Sequence, residues 1–345
     1  MQYPVADPKA WQSVGRLSPR ERLSLGAREC RYRLRLLRRA VPELIPVRRV
    51  EAPLGADAMI LVSVLKNAAR YLPSFLAHYR RLGVERFVFV DDRSDDGTRD
   101  ILLEAPDVDL FASNMDYREA SGGLAWRDLL VQVHGRGRWY VSLDCDEYLV
   151  FPGSETRSLR DFVSDLRRAG RKRALAVMLD IYPETPLAQA PEHRPAEAPP
   201  ETICPLFDGT GYTMRNEAIC MAVRGGPRQR LFGTDMRMTK FPVLLVDGAT
   251  RFNGVSDHAP LPVSRNFAPV NAVLLHYKFS NDTVAEFRRM YEYGTHFDGG
   301  RFYRQMIEHE AFGEGMDLRY EGSLRYAGSE DLVRRGYMQD LRGNV

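Results

Sequence analysis

Two aspartates one residue apart, Asp144 and Asp146, lie between two apolar runs in the segment RWYVSLDCDEYLVFP. Side chains at positions i and i+2 of a strand point the same way, so the two carboxylates can converge on one point just past the strand end. Converging carboxylates repel each other unless a cation lies between them. Because Mg²⁺ and Mn²⁺ take oxygen ligands and combine one or two carboxylates with substrate phosphates, the pair predicts a divalent metal presented to a diphosphate. The alternative is a surface turn with acids near a helix start.

A second acidic group, Asp91 and Asp92, ends the apolar run of FVFVDDRSDDGT. Carboxylates can accept hydrogen bonds from a nucleobase N–H and from ribose hydroxyls, so this strand end predicts an edge that binds a nucleoside. The following Asp95, Asp96 and Thr98 have an alternative role, which is to cap the next helix.

The elements that must position these acids alternate regularly. Strands are predicted in AMILVSVLKN, VERFVFVDD, DVDLFAS and WYVSLD, and helices in YLPSFLAHYRRLG, DRSDDGTRDILLEA and GGLAWRDLLVQVHGRG. This order predicts an α/β fold with an open, mostly parallel sheet. Ligands of such sheets bind beyond the carboxyl ends of the strands, where both acidic pairs fall.

The second half of the chain predicts shorter strands in ICMAVRGG, FPVLLVDG and NAVLLHYKFS, antiparallel with glycine turns, and then helices. Residues 1–56 are interpreted as a basic helical arm, residues 57–280 as the domain that carries the site, and residues 281–345 as a helical extension. In the arm, leucines interleave with arginines, which indicates either an outer helix packed on the domain or a peripheral contact with an anionic membrane.

Bulk composition narrows the possible partners of the 345-residue chain. A net charge of +3 gives no indication of nucleic-acid binding. The four cysteines have no CxxC or CxxH spacing, so a zinc site is not predicted and a reducing cytoplasmic location is expected. No apolar run is long enough to span a bilayer, so any membrane contact is expected to be peripheral, at the inner face.

The segments VSVLKNAARYLPSFLAHYRRLGVERFVFVDDRSDDGT and WYVSLDCDEYLVFP, with the later VLLHYKF, resemble family 2-like glycosyltransferases. The resemblance is to the branch with N-E-x-x-Y-L, D-x-S-D-D-G-T, D-x-D-E-[FY]-L and L-L-H-[FY]-K motifs, and it implies the GT-A fold of nucleotide-diphospho-sugar transferases. It covers Met59 to Pro152 well and Phe241 to Phe279 more loosely. Ala68 departs from the pattern, because it stands where the family usually has glutamate.

The resemblance implies roles for individual residues. The segment from Ser63 to Asn67, with Asp91 and Asp92, would hold the nucleoside. A Mn²⁺ or Mg²⁺ ion that bridges the diphosphate would be bound by Asp144 and Asp146, and His276 matches the histidine that often completes such a metal shell. A lone histidine after an apolar strand is otherwise more often a structural residue.

Three basic residues are candidates for contacts with the phosphates. Lys278 is a candidate counter-charge for the leaving diphosphate. Arg228 and Arg230, interpreted as alternate residues of an extended segment, are candidate phosphate clamps. The alternative for the two arginines is a solvated basic turn.

Inverting sugar transfer needs a general base that deprotonates the acceptor hydroxyl. Asp180, at the end of a buried-looking strand, is the first candidate, because desolvation can raise the pKa of its carboxyl. Asp257, beside His258, is the second.

The predicted function is transfer of a sugar from a nucleotide-diphosphate sugar to a hydroxyl of a carbohydrate or glycolipid acceptor, in glycan or polysaccharide synthesis. One alternative is a nucleotidyltransferase, which also uses paired aspartates, but the first strand lacks the glycine-rich loop of that class. The other is a non-catalytic glycan-binding protein with a transferase shell, which intact Asp144, Asp146 and His276 do not favour.

Overall fold

The computed structural model describes residues 1–37, 41–191, 199–252, 256, 258–293 and 301–343. The strands are β1 (Gln2–Tyr3), β2 (Leu44–Arg48), β3 (Met59–Leu65), β4 (Val84–Asp91), β5 (Val108–Ser113), β6 (Arg138–Ser142), β7 (Glu147–Val150), β8 (Leu175–Tyr182), β9 (Leu206–Asp208), β10 (Tyr212–Asn216), β11 (Met221–Arg224), β12 (Thr239–Lys240), β13 (Val243–Val246), β14 (Val270–His276) and β15 (Ser323–Arg325). The α-helices are α1 (Pro19–Leu36), α2 (Leu72–Arg81), α3 (Thr98–Glu104), α4 (Leu124–Val133), α5 (Leu159–Arg168), α6 (Pro227–Phe232), α7 (Thr283–Tyr293), α8 (Arg301–Ile307) and α9 (Ser329–Arg334). Short 3₁₀ helices cover Pro8–Ser13, Leu187–Gln189, Pro200–Thr202 and Val263–Asn266.

The main sheet has the order β13–β6–β3–β4–β5–β2, in which β6, β3, β4 and β5 run parallel. Its central strands are apolar on both faces because both faces are covered. Leu61 and Phe89 pack on one side, whereas Val62 and Val88 pack on the other with Trp126 of α4. The predicted mixed α/β fold with a mostly parallel sheet is confirmed at this level.

The second sheet has the order β15–β9–β8–β14–β7, with β12 added to β8. Strands β14 and β7 are antiparallel, but β14 and β8 are parallel. The prediction that the second half is antiparallel is therefore wrong for β14 and β8. The long segment between these two strands returns the chain to the same end of the sheet, so they run in one direction. A third, antiparallel sheet joins β1, β10 and β11.

The three predicted regions share their sheets and one hydrophobic core. In residues 1–56, β1 pairs with β10 and β2 pairs with β5 of the main sheet, so this region is more than a helical arm. Trp11 from the first region and Tyr337 from the last are buried in the same cluster as Leu61 of the main sheet. The boundaries at residues 56 and 280 therefore do not separate units with cores of their own.

Asp109 of β5 is a buried acid that links the segment after β2 to strands of the main sheet. Its carboxylate accepts hydrogen bonds from the backbone N–H of Val50 (2.7 Å), from Arg86 (3.4 Å) and from Nε2 of His134 (2.6 Å). Burial would raise the pKa of Asp109, but the bonds from His134 and Val50 outweigh that effect and lower it. Asp109 therefore stabilises the fold at pH values above its ordinary pKa, and this contribution is lost as the pH falls through the lowered pKa.

We expect Asp109→Asn to lower the free energy of unfolding at pH 7 by about 3–5 kcal/mol, because Arg86 is left buried without its carboxylate. The difference from the wild type should shrink below about pH 4, where the unfolded carboxyl binds a proton. Urea unfolding at several pH values measures both effects. Asp107→Asn is the matched control, since Asp107 pairs with Arg80 (2.6 Å) at a partly exposed site, and its loss should cost under about 1 kcal/mol. Equal losses from the two variants would contradict the prediction.

Candidate active site

The segment Leu143–Asp146 is the crossover between the two large sheets. Strand β6 of the main sheet ends at Ser142, and β7 of the second sheet begins at Glu147. The backbone N–H of Tyr277, just after β14, donates to the carbonyl oxygen of Asp146 (2.8 Å). The acidic stretch between two apolar runs is therefore the place where the chain leaves one sheet and joins the other.

Asp144 is held by cations from two different elements. Arg127 of α4 and Lys240 of β12 (2.6 Å) both donate to its carboxylate. Lys240 is itself buried and also donates to both oxygens of Glu147 (3.0 and 2.9 Å). Because 43% of the Asp144 side chain is exposed, its carboxylate faces the solvent-accessible side of this cluster.

Glu147 is the buried third acid of the stretch and holds the turn. One of its oxygens accepts a hydrogen bond from the backbone N–H of Asp144 (3.0 Å). Burial raises the pKa of Glu147 to about 7, with Asp144 and Asp146 adding to the rise and Lys240 opposing it. Glu147 therefore fixes the turn that presents Asp144, while both of its own oxygens face Lys240.

The register of the second sheet places His276 between two acids. On β14, His276 pairs with Glu147 of β7 on one side and with Asp180 of β8 on the other. Nδ1 of His276 lies 2.6 Å from Oδ1 of Asp180, and Nε2 lies 3.4 Å from Oδ2 of Asp146. The contact with Asp180 orients the imidazole so that Nε2 is the nitrogen directed at Asp146.

The acids around His276 favour its charged form. Burial would lower the pKa of the imidazole, but Asp146 and Asp180 outweigh it and raise the pKa to about 9. Burial would likewise raise the pKa of Asp146, and Lys278 and His276 instead hold it well below its ordinary value. His276 and Asp146 therefore each stabilise the charged form of the other.

Lys278 lies on the other side of Asp146. Its Nζ is 3.3 Å from Oδ2 of Asp146 and 3.8 Å from Glu286 of α7, and it lies over the ring of Tyr303 (5.7 Å to the centroid). Burial would lower its pKa, but Tyr303, Asp146 and Glu286 raise it well above the ordinary value. The ammonium is therefore charged and adjacent to the acid predicted to bind metal.

Asp180 does not have the surroundings of a free base. Its side chain is 0% exposed, and its two oxygens accept hydrogen bonds from Arg228 (2.7 and 2.9 Å) in addition to His276. Burial would raise its pKa, but Arg228 and His276 outweigh that effect and lower it. This environment does not favour the predicted role as general base. The other candidate, Asp257, lies outside the described residues.

The two predicted phosphate clamps are engaged inside the protein. The prediction of an extended segment is wrong, because residues 227–232 form helix α6, with Pro227 in its first turn and Gly233 at its end, which are ordinary boundary signals. Arg228 pairs with Asp180, and Arg230 pairs with buried Asp208 through two hydrogen bonds (2.9 and 3.0 Å). Both guanidinium groups therefore have carboxylate partners.

The predicted nucleoside edge consists of two loops that bind each other. The side-chain oxygen of Asn67 accepts from the backbone N–H of Asp95 (3.0 Å), and the N–H of Asn67 donates to Ser94 (2.9 Å). The carboxylate of Asp91 accepts from the N–H of Ser94 (3.1 Å). Asp91 and Asn67 therefore shape these loops after β3 and β4.

The two other residues of the predicted nucleoside edge are Asp92, just after β4, and Ser63, within β3. Burial raises the pKa of the Asp92 carboxyl. Ser63 is buried in β3 and donates to the carbonyl oxygen of Leu143 (2.6 Å). This hydrogen bond ties β3 to the crossover segment Leu143–Asp146.

Asp96 accepts from the N–H groups of Ala69 (3.1 Å), in the loop after β3, and of Thr98 (3.0 Å). The N-cap of α3 is Gly97, so the predicted alternative of a side-chain cap from Asp95, Asp96 or Thr98 is not what the helix start shows.

Sequence reasoning missed Arg127 and Lys240. Both were within reach of pattern analysis: each is a charged residue at an apolar position, Arg127 between Trp126 and Leu130 on the buried face of α4, and Lys240 just before the β13 run. A buried charge requires a partner, and the converging acids provide it. The pairing itself could not be read from the sequence.

Among the residues that the structure describes, no three histidine, cysteine, aspartate or glutamate side chains form a group that could hold a metal ion. Asp146 and His276 are the two predicted ligands that lie together. None of the described helices is long and apolar enough to cross a membrane.

Comparison with known proteins gives one distant relative among curated sequences. A glycosyltransferase family 92 protein of Oryza sativa subsp. japonica is 28% identical over 123 residues, which cover 34% of this chain. The chain spans about a fifth of that protein's length (20%). No family model matches the chain. A third of the chain is therefore similar to a glycosyltransferase, and membership of a particular family is not shown.

Solved structures resemble the chain only loosely. The inositol-1-phosphate CTP transferase of T. maritima is 12% identical, with a TM-score of 0.31, and the match covers 74% of this chain and 98% of that one. The mannosyltransferase Ktr4p of S. cerevisiae is 13% identical, with a TM-score of 0.22, over 49% and 51%.

Proposed function

We propose that the protein is a metal-dependent glycosyltransferase that moves a sugar from a nucleotide-diphosphate sugar to an acceptor hydroxyl. The observation that carries the proposal is the contact of Asp146 with His276 and Lys278, at the crossover that leaves the carboxyl end of β6. The proposed acceptor is a carbohydrate or glycolipid, and the proposed pathway is glycan or polysaccharide synthesis. The partial similarity to a glycosyltransferase supports the reaction class.

A divalent ion, Mn²⁺ or Mg²⁺, fits the donor set of this cluster. Asp146 and His276 would hold it, because Oδ2 and Nε2 are 3.4 Å apart and Nδ1 is already bonded to Asp180. Binding of the ion would release the proton from Nε2, since a ligating imidazole nitrogen is deprotonated. One or two carboxylates suffice for such an ion when substrate phosphates fill other positions. Asp144, the other predicted ligand, is bonded to Arg127 and Lys240. When bound, the ion supplies charge neutralisation of the leaving diphosphate.

The chain's own residues would bind and orient the donor. Asp91 and Asp92 lie at the carboxyl end of β4, where a nucleoside can be held by carboxylate acceptors. Lys278 and Lys240 bring positive charge beside Asp146 and Asp144, where the diphosphate would lie. The proposed displacement inverts the anomeric carbon, and Asp257 remains the candidate for the base.

The first experiment is a thermal-shift series with UDP, GDP, CDP and dTDP, each with and without Mn²⁺. We expect one nucleoside diphosphate to raise the Tm only when the metal is present. Hydrolysis of the matching nucleotide sugar then tests the reaction. Release of pyrophosphate from a nucleoside triphosphate and a sugar phosphate would instead identify a nucleotidyltransferase. Binding of glycans without any turnover would identify a non-catalytic protein.

Asp180→Asn tests whether Asp180 positions His276 or acts as the base. We expect the variant to raise the Mn²⁺ concentration needed for half-maximal activity by about 10–100-fold, because the histidine loses its orienting carboxylate. At saturating Mn²⁺ the kcat should be close to that of the wild type. A loss of a base would instead lower kcat by about 10²–10⁴-fold at every metal concentration.

The matched control for this variant is Asp208→Asn. Asp208 forms the same kind of buried pair, with Arg230, without a contact to His276. Both variants should lose stability, but only Asp180→Asn should change the metal dependence. A kcat defect of Asp180→Asn that persists at saturating Mn²⁺ would return the role of base to Asp180.

A further inference from the structure

Helix α1 packs on the protein through one narrow face. Leu25 is buried against Leu261 and Val263, and Tyr32 and Leu36 are partly buried beside it. Arg28 donates to the carbonyl oxygen of Ala218 (3.1 Å) on the same side. This face accounts for the attachment of the helix and leaves the opposite face uncovered by the described residues.

The opposite face is an apolar stripe. Its members follow each other at alternating intervals of four and three residues, which places them along one line of an α-helix. They are Leu23, Ala27, Cys30, Leu34 and Leu37. The leucines are 80%, 58% and 82% exposed in chain order, and Ala27 and Cys30 are exposed as well. Scattered single leucines are normal on a surface, but a continuous stripe along a helix indicates something that covers it.

Arginines border the stripe on both sides. At 3.6 residues per turn, Arg20, Arg31 and Arg35 project on one side of it and Arg22 and Arg33 on the other. Arg20, Arg22 and Arg31 have no carboxylate within ion-pair distance among the described residues.

The two acids of the helix do not face the stripe. Glu21 caps the helix start through the N–H of Ser18 (2.7 Å), and Glu29 is paired with Arg33 (2.9 Å). Of the border arginines, these acids neutralise only Arg33, so the border keeps a net positive charge.

We propose that helix α1 lies on an anionic membrane surface, with this stripe, hereafter the α1 stripe, inserted at the boundary between headgroups and acyl chains. Leucines would then be buried in the apolar layer, while the bordering arginines reach the phosphates. Membrane binding through the α1 stripe is separate from the proposed sugar transfer and does not depend on it.

The charge pattern favours a membrane over a second copy of the chain. Two copies packed through the α1 stripe would bring their arginine borders together, while Glu21 caps its own helix start and Glu29 is already paired with Arg33 of its own helix. Like charges at such a seam oppose association. An anionic bilayer offers an apolar layer for the leucines and phosphate groups for the arginines.

The test measures binding of the full chain, without donor, acceptor or metal, to vesicles. Vesicles of two parts phosphatidylcholine and one part phosphatidylglycerol should bind the protein, and vesicles of phosphatidylcholine alone should bind it at least about tenfold more weakly. Binding to anionic vesicles should weaken as salt is added. A fluorophore that reports polarity, attached to Cys30, should shift to the blue, since the other three cysteines are buried.

Two double variants separate the leucines from the arginines. Leu34→Ser with Leu37→Ser should lower the partition coefficient by at least about tenfold. Arg31→Gln with Arg35→Gln should lower it by about twentyfold on anionic vesicles only. Leu103→Ser is the matched control, because Leu103 is an exposed leucine of α3, away from the α1 stripe. It should bind as the wild type does.

Three outcomes would overturn the proposal. These are absence of binding to anionic vesicles, equal binding to both vesicle types, and a dimer in solution that Leu34→Ser abolishes; the last would assign the α1 stripe to a second copy. A variant inactive in sugar transfer, such as Asp146→Asn, should still bind vesicles, so failure of the proposed function and failure of this inference are distinguishable.

Discussion

Asp146→Asn should abolish sugar transfer, with a fall in kcat/KM on the order of 10³-fold or more. The carboxylate is the group that His276 and Lys278 both face, so its loss removes the proposed centre of the metal shell. Several kcal/mol of transition-state stabilisation would be lost with the ion, and each 1.4 kcal/mol corresponds to about tenfold in rate. Release of the nucleoside diphosphate from the nucleotide sugar measures the effect.

The control for Asp146→Asn is Asp100→Asn, since Asp100 is an exposed acid in the first turn of α3. It should keep wild-type activity. Circular dichroism and the Tm show whether each variant is folded. Wild-type turnover in excess EDTA would rule out the metal, and an active Asp146→Asn would move the site elsewhere.

Gly336→Ala should be the most destabilising single-methyl change in the chain's C-terminal region. Gly336 follows α9 with φ of 78°, and an added Cβ would lie 1.9 Å from the carbonyl oxygen of Val5. The backbones of Gly336 and Val5 are also joined by a hydrogen bond, in which the N–H of Val5 donates to the carbonyl oxygen of Gly336 (2.9 Å). Left-handed strain and the forced displacement of the N-terminal segment together should cost about 2–5 kcal/mol.

Gly135→Ala is the matched control for the backbone part of this cost. Gly135 has φ of 85°, and an added Cβ would meet no heavy atom within 4 Å. Its loss should be limited to about 1–2 kcal/mol from the left-handed conformation. Urea unfolding measures both variants. Equal losses would mean that the N-terminal segment moves aside freely and is not a fixed part of the core.

Both variants would also test how the ends of the chain are tied together. The hydroxyl of Tyr3 donates to the carbonyl oxygen of Tyr337 (2.6 Å), and the rings of the two residues meet edge to face (5.7 Å). If Gly336→Ala loosens this contact, limited proteolysis should cut near the N-terminus sooner than in Gly135→Ala.

The sequence by itself determined the local elements of the main sheet. Strand β3, Met59–Leu65, lies within the predicted segment AMILVSVLKN, and β4 ends at Asp91, the first acid of the predicted pair. Unbroken apolar runs and helical spacing are local properties that the chain carries wherever it folds. The alternation of strand and helix then places Asp91 and Asp144 at carboxyl ends, because a parallel sheet has only one such edge.

The sequence also contained signals that were interpreted incorrectly. Pro227 and Gly233 bound helix α6, although the segment was predicted to be extended. The carboxylate partners of Arg228 and Arg230 are remote in sequence, so the local pattern gives no sign that these arginines are already paired. Asp180 precedes Arg228 by almost fifty residues, and Asp208 belongs to a different strand.

Only the tertiary structure decided which charges meet. The pairing of β14 with both β7 and β8 sets His276 between Glu147 and Asp180, and a shift of one residue would turn its side chain to the other face. Lys240 reaches Asp144 and Glu147 because β12 adds to the edge of β8. Such register depends on the packing of strands far apart in the chain, whereas residue type and spacing report only on neighbours. For this reason the acids could be located from the sequence, but their cationic partners could not.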